Sequence, residues 1–114
     1  MGKKIFVLLF LISFSLSAHP PKSIDLSYDA AKTELSVKVW HKVGNPESHY
    51  IDKVVVFLGD EQIAEKLYER QQTEAYQEEI FVFSAKPLKK GDLVKVRAYC
   101  SKFGKKTVDL EWQE

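Results

Sequence analysis

Apolar and polar positions alternate with a period of two along most of this chain. Ile24, Leu26 and Tyr28 share one face of an extended segment, and Leu35, Val37 and Val39 share one face of the next. This alternation marks half-buried strands, because successive strand side chains point to opposite faces. Residues 29–33 (DAAKT) supply the turn between the two. A third segment, 50–58, contains the run Val54-Val55-Val56 and stops at the turn dipeptide Gly59-Asp60. Residues 62–70 fit either a strand or a short helix. Residues 76–83 carry Ile80, Phe81, Val82 and Phe83, and residues 87–92 (PLKKGD) read as a loop. Residues 93–100 alternate through Val94, Val96 and Ala98, and residues 105–112 close the pattern with Val108 and Leu110. Seven short strands, rich in β-branched and aromatic residues and separated by turn signals, predict an all-β, immunoglobulin-like antiparallel β-sandwich.

The first eighteen residues break the pattern. Lys3 and Lys4 precede an apolar run over residues 5–12, and residues 13–18 (SFSLSA) supply small side chains. These are the parts of a secretory signal peptide, so residues 1–18 are expected to be removed and residues 19–114 to form one exported domain, periplasmic or secreted. The apolar run is short for a membrane span, and no membrane association is expected after cleavage. Cleavage after Ala18 makes His19 the new N-terminus; cleavage after Ser17 is the near alternative.

Charge narrows the range of partners. Without Lys3 and Lys4, 15 of the 17 basic residues remain against 16 acidic ones. That balance gives no basis for binding nucleic acid or an anionic membrane. The adjacent carboxylates Glu78 and Glu79 lie on opposite faces of a strand and do not form an acid–base pair.

The chain has three histidines, His19, His41 and His49, and one cysteine, Cys100. A lone cysteine in an exported protein is a reactive thiol, an intermolecular bridge or a metal ligand. If successive strands run up and down, His19 precedes the first, His41 follows the second, His49 precedes the third and Cys100 ends the sixth. All four then fall at one pole of the sandwich. Parity adds that His41 continues the apolar face of Val37 and Val39, and Cys100 that of Val96 and Ala98. Geometry alone leaves two readings of Cys100 open, a metal ligand and an inert buried thiol. Trp40, next to His41, is a candidate wall of the site, with an ordinary core or surface aromatic as the default reading.

Residues 44–51 (GNPESHYI), 91–100 (GDLVKVRAYC) and 101–104 (SKFG) resemble the iron-binding domain of the desulfoferrodoxin and superoxide reductase family. The resemblance runs from His19 to about Trp112. It implies an immunoglobulin-like sandwich holding a mononuclear iron, with reduction of superoxide to hydrogen peroxide as the activity. That family's iron is held by four histidines and an axial cysteine thiolate. By this resemblance, Cys100 corresponds to the thiolate, His49 to the histidine before Tyr-Ile, His41 to the histidine opening the same loop, and His19 to the first histidine of the domain. The family's remaining histidine, three residues after the cysteine, is replaced here by Phe103, and the lysine before the first histidine by Ala18. The partners implied are superoxide and an electron-donor protein of unspecified identity. An exported copper- or zinc-binding carrier without catalysis is the alternative that the same donor set allows.

Overall fold

The computed structural model describes residues 20–113. The signal-peptide expectation and His19 lie outside these described residues. Seven strands follow in order: β1 (Ser23–Asp29), β2 (Glu34–Trp40), β3 (Ile51–Leu58), β4 (Glu61–Leu67), β5 (Tyr76–Val82), β6 (Leu93–Cys100) and β7 (Lys105–Glu111). They form two antiparallel sheets, a three-stranded one ordered β1-β2-β5 and a four-stranded one ordered β4-β3-β6-β7. This is the all-β, immunoglobulin-like sandwich that the alternation predicts. No helix among the described residues is long and apolar enough to cross a membrane.

The core is the sum of the inward faces. Leu35, Val37 and Val39 of β2 are buried against Val54 and Val56 of β3 and Val94, Val96 and Ala98 of β6, in one cluster with Phe81 and Phe83. Burying each such aliphatic side chain favours folding by roughly 1.5–3 kcal/mol. Residues 62–70, ambiguous in sequence, resolve into edge strand β4 followed by a loop. β4 lacks a clear apolar face because it is almost wholly exposed. Its Glu61, Glu65 and Lys66 place charge on an open sheet edge, where charge discourages pairing with another chain.

The turns follow local chemistry. Gly59, at φ 61°, is the first of two residues linking β3 to β4, where a type II′ hairpin requires positive φ. Between β1 and β2, the Asp29 carboxylate accepts hydrogen bonds from the backbone N–H groups of Ala31 and Lys32.

Strand direction fixes the position of the site. β1 and β3 start where β2 and β6 end, as the pairs Ser23 with Trp40 and Ile51 with Cys100 show. Residues 41–50, joining the two sheets, and residues 68–75, leading from β4 to β5, both cross this pole.

Candidate metal centre

His41 follows the last residue of β2 and keeps the strand's inward parity, so it is almost fully buried, 1 % exposed. Its backbone N–H donates to the carbonyl of Ala75, which extends the β2–β5 pairing by one residue. His49 lies just before β3. The turn carrying it is wound around Asn45, whose carbonyl accepts from the N–H groups of Ser48 and His49 and whose side-chain oxygen accepts from Glu47. Cys100 ends β6 on the inward face and is buried. Two further bonds tie the end of β6 to the His49 segment: the Ser101 N–H donates to the Tyr50 carbonyl, and the Tyr50 N–H donates to Ser101 Oγ.

The three side chains meet. One donor atom from each of His41, His49 and Cys100 lies within 4.8 Å of the other two. The two imidazole rings stand nearly perpendicular, with centroids 4.9 Å apart. His49 Nε2 is 3.2 Å from Cys100 Sγ, and the backbone N–H of Lys102 donates to the same sulfur at 3.4 Å. Two donors on one ion, with metal bonds of about 2.1 Å to nitrogen and about 2.3 Å to sulfur, stand about 3.1 Å apart at a right angle and about 3.6 Å apart at the tetrahedral angle. The His49–Cys100 separation falls inside that interval, and the three donors together lie within 4.8 Å, a group that could close on one metal ion.

One residue beside the cluster carries no signal in the sequence. Gln71, in the loop between β4 and β5, is fully buried. Its Oε1 lies 2.9 Å from His41 Nδ1 and accepts the Ile51 N–H at 3.1 Å. Its Nε2 donates to the carbonyls of His41 and Thr73 at 2.7 and 2.9 Å. A glutamine in an aperiodic loop looks the same in sequence whether it faces solvent or a site.

The remaining expectations resolve one by one. Trp40 does not wall the cluster. Its outward parity puts it on the open face of the three-stranded sheet, where Nε1 donates to Asp25 and the ring meets Tyr76 and the Lys38 ammonium. Glu78 and Glu79 part as expected: Glu78 pairs with Lys38 outside, while Glu79 accepts a 2.8 Å hydrogen bond from the Tyr68 hydroxyl. Burial, with help from Glu79, holds the Tyr68 phenol well above its ordinary range. Phe103 is 62 % exposed, a phenyl ring with no metal-binding atom.

No protein-family profile matches the chain, and no curated protein matches it in sequence. Solved structures do. A variant of the superoxide reductase (neelaredoxin) from Ignicoccus hospitalis aligns with a TM-score of 0.51 at 19 % identity, over 88 % of this chain and 83 % of that one. The superoxide reductase from Nanoarchaeum equitans aligns with a TM-score of 0.50 at 17 % identity, over 84 % of this chain and 94 % of its own. At such identities the shared property is the fold: this chain has the sandwich on which those superoxide reductases are built.

Proposed function

We propose that this protein is an exported mononuclear iron protein of the superoxide reductase type, with His41, His49 and Cys100 as ligands and His19 as a fourth. The observation that carries the reading is the convergence of two imidazoles and one thiol at one pole of a sandwich shared with superoxide reductases. Pro20 supports the place given to His19. It packs so closely on Gly104 that a Cβ there would fall 2.8 Å from the proline Cβ. Gly104 in turn accepts the Cys100 N–H, so Pro20 lies against the loop that closes on the Cys100 backbone. Cleavage after Ala18 would add the α-amino group of His19 as a further nitrogen donor.

When bound, ferrous iron supplies the one electron that, with two protons, converts superoxide to hydrogen peroxide; an electron-donor protein then restores it. The chain's own residues hold that centre and shield it. Buried His41 keeps water from the inner side, and the Lys102 N–H partly neutralises the Cys100 sulfur, which tunes a bound metal. Lys102 and Lys105, both exposed next to the pole, favour approach of a small anion.

A second reading is favoured by Phe103. With that position unable to ligate, the described donors number three, a set that four-coordinate zinc or copper takes readily with one more ligand. The protein would then carry metal without turnover. Metal analysis of the mature protein, its ferric absorption spectrum and a superoxide consumption assay separate the two. The iron reading expects a thiolate-to-iron charge-transfer band that Cys100→Ser abolishes, together with superoxide consumption. Stoichiometric copper or zinc, with no such band after iron loading, would establish the carrier. Mass spectrometry of the mature N-terminus tests both export and the role of His19.

A further inference from the structure

We propose that Gln71 is a positioning residue of this centre: it locks His41 in the Nδ1–H tautomer and so commits Nε2 to the metal. The inference rests on the metal-centre reading, but its first step can be tested without metal.

The orientation of the Gln71 amide follows from backbone groups of fixed polarity. Its nitrogen faces two carbonyls, those of His41 and Thr73, which only accept. Its oxygen faces the Ile51 N–H, which only donates. A flipped amide would put oxygen against two carbonyls and nitrogen against an N–H group. With Oε1 thus fixed as an acceptor, His41 Nδ1 at 2.9 Å must be the protonated ring nitrogen. In the neutral imidazole that binds a metal, the lone pair then sits on Nε2. Outer hydrogen bonds of this kind set the tautomer and ring orientation of ligating histidines.

Gln71 also joins the two connections that cross the pole, residues 41–50 and 68–75. Its side chain bonds both ends of the 41–50 connection, through the His41 carbonyl and the Ile51 N–H. Its backbone N–H donates to the Pro46 carbonyl in the middle of that connection. The residue therefore sets His41 relative to the His49 turn as well as its tautomer.

The test is nitrogen-resolved NMR of the His41 ring in the metal-free protein, combined with cobalt(II) titration followed by thiolate-to-cobalt absorption. The expected state is one slow-exchanging Nδ1–H tautomer. In Gln71→Met, which keeps bulk but removes the acceptor, that state is lost and cobalt binding weakens about 10–100-fold, the usual effect of deleting such a partner. An Nε2–H or mixed tautomer in the wild type, or unchanged cobalt affinity in Gln71→Met, overturns the proposal. If Gln71→Met does not fold, the wild-type tautomer decides it. A wild type that binds no cobalt overturns the metal-centre reading, and the His41 tautomer still decides what Gln71 does to the ring.

Discussion

Gly104 shows how much one position near the site controls. It sits at φ 90°, a conformation L side chains rarely adopt, and an added Cβ would meet Pro20 atoms at 2.8–3.1 Å. Strain and contact together should make Gly104→Ala cost about 2–3 kcal/mol. Calorimetry of the variant checks this, and an unchanged melting temperature would mean that the backbone leaves φ 90° and Pro20 gives way together. If His19 ligates, the same variant should also bind cobalt(II) more weakly, because the contact that sets the chain beside Cys100 is displaced. Gly44 is the control. Nothing lies within 4 Å of a Cβ there, so Gly44→Ala should be near neutral in stability and in metal binding.

Between strands, the Tyr68–Glu79 hydrogen bond links the loop after β4 to β5, and so joins the two sheets where no ladder does. Tyr68→Phe should cost about 1–2 kcal/mol near neutral pH, since it leaves a carboxylate short of a partner. The pH dependence has a definite sign. The folded phenol titrates above the ordinary value of 10.0, chiefly through burial and then through Glu79. Its contribution is therefore complete below pH 10 and declines above it, where the unfolded chain releases the proton first. Wild type should lose its advantage over Tyr68→Phe as pH rises past 10, read by denaturant melts of both proteins at several pH values. A constant difference would mean that Tyr68 is not held in its neutral form by the fold.

For the protein as a unit, a metal at the pole couples binding to stability. The ligands come from the ends of β2 and β6, the turn before β3 and, in the proposed site, the segment before β1. Unfolding must therefore disperse them. Free metal at one hundred times its dissociation constant should stabilise the fold by about 2.7 kcal/mol. Thermal melts with and without cobalt(II) should show a clear upward shift in wild type and almost none in Cys100→Ser. An equal shift in both would place the metal elsewhere on the surface.

The two kinds of information separate cleanly in this chain. Six strands and their inward faces were legible because burial of one face imposes period-2 alternation on consecutive residues, as at Leu35, Val37 and Val39. β4 was ambiguous because an exposed edge strand is under no such constraint. The common pole of His41, His49 and Cys100 was also legible, since antiparallel strand counting carries polarity along the chain. Which strands pair was not: β4 stays beside β3 while β5 crosses to β2, a choice made by packing between residues distant in sequence. The outward turn of Trp40 follows from the inward parity of His41, its neighbour. Gln71 required the fold, because three of its four side-chain hydrogen bonds exist only once both ends of the 41–50 connection close over it.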